Sequence, residues 1–339
     1  MRDYFIRRFL LIPPTLLGLS LIVFLITRAA PGGPLERALM EARQLNAATG
    51  RGGIAGASMA LSDEQIEQMK KYYGFDKPPL AAYVDWLGKV VQGNLGRSIR
   101  YNEPVTTIMR ERMPVSIFYG LITLVITYAV CIPLGIVKAM RHRTLIDNST
   151  SILIFTGYAV PGYALGAVLL LVFGARLAWF PMSGFTSYNY ADMSAGGKAL
   201  DLVQHAILPL TCYLIGSFAV TTMLMKNQLM DNLSADYVRT AIAKGVSFRR
   251  AVLGHALRNS LIPIATTFGQ NITLLVSGSF LIEFVFDING FGLLGISSIL
   301  DRDYMVAMGV VMTGALLLML GNILSDMLVA AIDPRIRFK

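Results

Sequence analysis

Six runs of about 20 mostly apolar residues, each the length needed to cross a bilayer as a helix, dominate this 339-residue chain. They fall at Phe9–Thr27, Val115–Val137, Ile152–Val172, Ile207–Met225, Ile264–Phe286 and Val306–Ile332. With no water in a bilayer core, a spanning backbone must satisfy its own polar groups, so each run predicts a helix. Only 15% of residues are charged, against about 25% in soluble domains. The fold class expected is therefore an all-α polytopic membrane protein with about six spans. The net charge of +9 does not indicate nucleic acid, because the basic residues sit beside apolar runs and follow topology instead.

The first run starts basic, at Arg2, Arg7 and Arg8, as a secretory signal does. Its apolar stretch exceeds the 7–15 residues of a signal core, and Arg28 spoils the small-x-small cleavage pattern. A retained helix is expected. Lys and Arg in short loops set orientation. With the N-terminus in the cytoplasm, the inner segments carry Lys138, Arg141, Arg143, Lys226, Arg239, Lys244, Arg249, Arg250, Arg258, Arg335, Arg337 and Lys339. The short outer loops carry Arg176, Lys198 and Arg302. Both termini are expected inside, and the long segment from Ala30 to Pro114 outside. This divides the chain into residues 1–29 (tail and first helix), 30–114 (outer insertion) and 115–339 (core with the remaining helices). Prolines inside the runs (Pro13, Pro14, Pro133, Pro161) are tolerated by membrane helices and mark bends.

Within the insertion, a Gly/Ala-rich stretch precedes "LSDEQIEQMKKYYGFDKPPL". Ser62 and Gln65 have the spacing of a capping box, Asp63 and Glu64 suit a helix N-terminus, and Gly74 suits the C′ position. "AAYVDWLGKVV" predicts a second short amphipathic helix.

The stretch "DYVRTAIAKGVSFRRAVLGHALRNSLIP" interrupts two apolar runs. Asp236 near the start and Lys244 near the end complement a helix macrodipole. Gly245 predicts a left-handed stop, and Ser247 the N-cap of a second helix through Arg249, Leu253 and Leu257 into the fifth run. The result is a helix–turn–helix in water within residues 229–263, with Val246 and Phe248 as apolar tips suited to a groove on another protein. The alternative is a charged connector lying on the lipid surface.

No phosphate-binding G-x-x-x-x-G-K-[ST], H-E-x-x-H or G-x-S-x-G occurs, so no catalytic centre, cofactor or metal site is expected. His142, His205 and His255 are scattered and read as surface or packing residues. Cys131 and Cys212 lie in apolar runs and read as packing residues. Ionisable residues within spans default to a functional expectation. Glu283 is placed at an exit face or in structural pairing, and Asp326 at an interhelical contact. Gln270, Asn271 and Thr273 give the fifth run a polar face, expected to line a pathway or join helices.

"DYVRTA-x-AKG" followed by "HALRN" and Pro263 resembles the cytoplasmic coupling-loop signature of ABC importer permeases in its peptide-transporter form. The broader pattern begins Glu-Ala-Ala; here those positions read Arg239-Thr240-Ala241, with Gly245 at the family's spacing. "RRFLLIPPTLLGLSLIVFLITRAAPGGP", "YGFDKP", "GNLGRSI", "IPLGI", "RDY" and "DPRIR" match further landmarks, so the resemblance covers nearly the whole chain. "TMLMKN" and "GSFLIEFVFDINGFGLLG" are most similar to the subgroup importing microcin C and related oligopeptides, including its Asn289 in place of a usual proline. The resemblance implies the type I importer permease fold in a bacterial inner membrane. It implies a second homologous permease, two cytoplasmic ATPase domains that bind the ATP and Mg, a periplasmic solute-binding protein and a peptide cargo. It carries the coupling role to Asp236, Arg239, Ala241, Lys244, Gly245, His255 and Arg258; the adjoining Thr240, Val246, Ser247, Phe248 and Arg249 complete the expected ATPase-facing set. The competing class, an ion-coupled transporter or channel, would need broken helices in inverted repeats and a mid-membrane ion site, and neither is visible.

Overall fold

Pro161 stands at an 89° bend between two apolar helices. The computed structural model describes residues 2–29, 67, 76–277 and 279–333, without side chains at 2 and from 273 to 278. The helix expected from Ser62 to Gly74, the Gly/Ala-rich stretch before it, the basic residues Arg335, Arg337 and Lys339, and the Thr273 side chain lie outside the described residues. Helices α1 (Arg2–Ala29), α2 (Pro79–Val91), α3 (Val105–Met140) and α4 (Leu145–Ala159) lead to α5 (Gly162–Leu169), which continues as a π-helical stretch to Arg176. The long α6 (Ala195–Leu233) precedes the short α7 (Asp236–Ala243) and α8 (Phe248–Ala251). A π-helical turn at Val252–Ala256 joins α8 to α9 (Leu257–Ser277). The described chain closes with α10 (Phe280–Val285), α11 (Phe291–Leu300) and α12 (Tyr304–Ile332). A lone bridge between Arg97 and Pro104 is the β-type pairing among the described residues.

Among the described residues, four helices, α1, α3, α6 and α12, are long and apolar enough to cross a membrane. The run expected as one span at Ile152–Val172 is instead the pair α4 and α5, bent by 89°, and counts as a fifth span only if the pair is one. Val160 is extended (φ −93°, ψ 123°) and Pro161 follows at φ −56°, ψ 131°. Proline removes a helical donor and forces the residue before it out of the helical region. Glycine follows at a close approach: a Cβ on Gly162 would sit 3.0 Å from the Cys212 carbonyl oxygen, tighter than an ordinary contact. By contrast Pro13, Pro14 and Pro133 lie inside continuous helices. The expected fifth run falls short of the apolar criterion among the described residues: α9 carries Arg258, Asn259, Ser260, Gln270 and Asn271.

The chain divides into two units. One comprises residues 1–11, 112–293 and 314–339; the other comprises 12–111 and 294–313. In the second unit, α2 buries Ala82, Tyr83 and Trp86 with Phe24 and Met308. The rings of Phe24, Tyr83 and Trp86 lie 5.5–6.1 Å apart, and Ser20 Oγ meets the Tyr83 hydroxyl at 2.9 Å. In that unit the Asp303 carboxylate receives the Ser98 hydroxyl and the Ile99 amide.

In the first unit, α9 and α12 meet backbone to backbone. A Cβ on either Gly269 or Gly321 would lie 2.6 Å from the other's carbonyl oxygen. Small residues at such crossings let helices approach without a hydrophobic driving force. Ser325 donates to the carbonyls of Ala265 and Thr266 at the same crossing.

Candidate functional site

The segment from Asp236 to Ser260 forms an elbow with one face set into the first unit and the other exposed. Gly245 adopts φ +90°. The Val246 amide donates to Ala241 O at 3.1 Å and the Gly245 amide to Ile242 O at 2.9 Å, the paired bonds of a Schellman stop. No atom lies within 4 Å of where a Gly245 Cβ would be, so backbone conformation, not space, demands glycine. Ser247 occupies the N-cap position of α8 but its side chain makes no capping bond; its carbonyl accepts from the Ala251 amide.

Amphipathic patterning sets the buried face. Val238, Ala251, Val252 and Ala256 are all 0% exposed and share a core with Ala139, Met225, Leu229 and Ile264. Those partners belong to α3, α6 and α9, so the elbow is packed against three long helices. Tyr237 adds polar ties: its hydroxyl donates to Asn232 Oδ1 at 2.7 Å and accepts from Asn259 Nδ2 at 3.1 Å. Ser260 Oγ reaches Gln228 O at 3.2 Å, and Arg258 Nε donates to Ile332 O at 2.6 Å at the end of α12.

The other face exposes Asp236, Arg239, Thr240, Lys244, Ser247, Arg249, Arg250 and His255. Phe248, at 48% exposure, stands among them with Ile242 and Leu253. Ala241 is half-buried. One expectation is corrected: Val246 is not an exposed tip but packs against the buried core, leaving Phe248 as the apolar residue presented at the bend. The arrangement is a basic, partly apolar surface on a base packed against α3, α6 and α9.

A charged cluster missed by sequence reasoning lies in the same unit. Lys226 Nζ is 2.7 and 2.8 Å from the carboxylate oxygens of Asp147. Lys138 Nζ is 3.0 Å from Asp147 Oδ1 and also donates to Asp147 O, Thr150 and Ser151. Both lysines, counted above among loop cations, are buried within α3 and α6. The signal available was a lone Asp147 in a basic loop; its partners are 9 and 79 positions away. His142 Nδ1 lies 3.3 Å from the same carboxylate, whereas His205 is buried against Asp201 O at 2.8 Å.

The remaining ionisable residues of the spans are also partnered. Glu283, 1% exposed, accepts the Leu293 amide at 2.6 Å and the Ser116 hydroxyl at 3.2 Å. Ser116 Oγ in turn accepts the Phe291 amide at 2.7 Å. Together they cap the N-terminus of α11, where free amides and the helix dipole favour a carboxylate. Asp326 binds Arg8 at 2.8 Å and the Tyr4 hydroxyl at 2.9 Å. Of the expected polar face on α9, Gln270 is exposed. Asn271 Nδ2 donates to the Tyr128 hydroxyl at 2.7 Å, beside a cleft of about 270 Å3.

Comparison with known proteins gives a consistent answer. Residues 131–338 match the family described as the binding-protein-dependent transport system inner membrane component. The peptidoglycan transport system permease protein YejB of Agrobacterium fabrum is 35% identical, over 100% of this chain and 99% of that protein. The inner membrane ABC transporter permease protein YejB of Escherichia coli O157:H7 is 36% identical over the full length of both. The oligopeptide transport system permease protein AppB of Bacillus subtilis is 33% identical, again over the full length of both.

Proposed function

Because the chain belongs to the binding-protein-dependent transport system inner membrane components, we propose that its exposed elbow receives the force that drives peptide import. The chain is a multi-pass inner-membrane permease of the peptide ABC importer class. In this reading it forms half of a translocation pathway with a second permease, and a solute-binding protein delivers an oligopeptide. Two ATPase domains hold the ATP and Mg and grip the elbow. Peptidoglycan-derived and microcin C-like peptides are the two cargoes to compare first.

The observation that carries the coupling role is the two-faced elbow. Arg239, Lys244, Arg249 and Phe248 face outward, while Val238 and Val252 bury the opposite side in the helices. A ligand shifts a two-state equilibrium only by its differential affinity for the two states. The ATPase therefore has to hold this surface differently with and without nucleotide, and the buried face carries the difference to α3, α6 and α9. The basic residues of the elbow support placing it, with both termini, in the cytoplasm.

An ion-coupled mechanism finds less support. Asp147, Glu283 and Asp326 are each engaged by lysines, backbone amides or arginine, not grouped around a cation. The test is the reconstituted complex in proteoliposomes. ATP is expected to drive peptide uptake, and a proton gradient alone is not. Charge reversal at Arg239 and Lys244 is expected to lower recovery of the ATPase with the permease. Undiminished recovery would remove these residues from the interface.

A further inference from the structure

On α3, Tyr119, Thr123 and Thr127 follow at four-residue intervals, which puts them on one stripe of the helix. The hydroxyl oxygens of all three are buried and have no hydrogen-bond partner among the described residues. Thr222 on α6 is likewise buried and unpaired, but several other helical hydroxyls bond to the preceding turn. Thr211 returns its proton to Ile207 O at 2.8 Å, Thr266 to Ile262 O at 3.0 Å and Ser217 to Tyr213 O at 3.3 Å. Such back-bonding is the ordinary resort of Ser and Thr within a helix. A hydroxyl left unpaired away from water is costly, so the stripe lacks something that completes it.

Thr123 and Thr127 line the cleft of about 270 Å3, together with Tyr128, Tyr163, Tyr213 and Asn271. Thr127 is only 3% exposed. No lining side chain is charged. The Tyr213 hydroxyl accepts the Ser279 amide at 3.0 Å, and the Tyr128 hydroxyl accepts from Asn271, so both phenols are oriented. The volume lies just below the usual range for small-ligand clefts, about 300–1,000 Å3; it suits a short stretch of a substrate.

We propose that this cleft is a substrate subsite that holds a short run of peptide main chain through neutral hydroxyls, irrespective of side-chain charge. The proposal rests on the importer reading given above. A peptide backbone alternates carbonyl acceptors with amide donors, and a hydroxyl serves either. Once a rotation about χ1 turns their buried oxygens toward the cleft, Thr123 and Thr127 can therefore pair with whichever group the substrate presents. The tyrosine rings supply flat apolar surface beside a polar tip. A lining without charge imposes no preference for acidic or basic residues and keeps each bond weak enough to release the cargo.

The test uses the complete reconstituted transporter with its binding protein, an alanine tripeptide and the same tripeptide methylated at one backbone nitrogen. The readout is the ratio of their uptake rates, compared between permease variants so that the binding protein's own preference cancels. The wild-type complex is expected to favour the unmethylated peptide. Thr123→Val with Thr127→Val is expected to reduce that ratio by about two- to tenfold, the worth of one neutral hydrogen bond. Thr127→Ser, which keeps the hydroxyl, is expected to retain it. An unchanged ratio in the double valine variant overturns the subsite. A photoreactive residue in place of Tyr163 is expected to capture the tripeptide during turnover; capture only of lipid or of the second permease also overturns it. Absence of ATP-driven uptake in the wild-type complex has a different meaning: it overturns the importer reading, and the subsite falls with it.

Discussion

The ammonium of Lys226 sits between both carboxylate oxygens of Asp147, at 2.7 and 2.8 Å, and joins α6 to α4 where both are buried. Lys138 approaches the same carboxylate from α3. Asp147→Asn is therefore expected to leave two buried ammonium groups without a counter-charge. Breaking a buried pair this way costs about 3–5 kcal/mol. Thermal unfolding of the purified permease should show a large drop in midpoint. Replacing Asp147, Lys138 and Lys226 together by apolar residues of similar size should recover most of it.

Gly245 is expected to tolerate no β-branched residue. Its φ of +90° imposes strain of roughly 1–2 kcal/mol on an L-residue, although space is open around it. Gly245→Val should insert normally into the membrane and yet lose ATPase binding or transport. Normal uptake by that variant would separate the turn from coupling.

The α9–α12 crossing predicts a steric effect of a different kind. Gly269→Val or Gly321→Val places carbon atoms against backbone at 2.6 Å, where no side chain can move aside. Each variant is expected to be less stable than wild type in a detergent melting assay, by more than the Gly245 variant. Equal stability would mean that the helices part without penalty.

Glu283 predicts a close dependence on Gly290. A Cβ at Gly290 would lie 2.5–2.6 Å from the Glu283 carboxyl group, which holds the first turn of α11. Gly290→Ala should displace that carboxylate and leave the Leu293 amide unpaired, at about 1–3 kcal/mol. Glu283→Ala should lose a similar amount. The double variant is expected to be less destabilised than the sum, because both changes act on the same bond.

Much of this arrangement is legible in the residues alone. Apolar runs announce α1, α3, α6 and α12, because length and hydropathy are local properties. The elbow is legible for the same reason: a helix former run ending in Lys244-Gly245 states its own stop. The sharp turn at Val160–Pro161 was masked by hydropathy, which counts apolar side chains and is indifferent to whether the backbone between them bends. Lys138 and Lys226 read as loop cations because their burial depends on Asp147, a partner remote in sequence. Val246 reads as an exposed tip until it is seen packed against the buried cluster that includes Met225 and Val252. The unpaired hydroxyls on α3 become visible only once the i−4 bonds made by Thr211 and Thr266 are there for contrast.

Site-specific cross-linking from position 248 in the assembled transporter reads the central claim most directly, since Phe248 is the exposed apolar residue at the bend. The account predicts a covalent product with the ATPase subunit whose yield changes between nucleotide-free and ATP-bound states. Products with lipid alone, or an ATPase product indifferent to nucleotide, would contradict it.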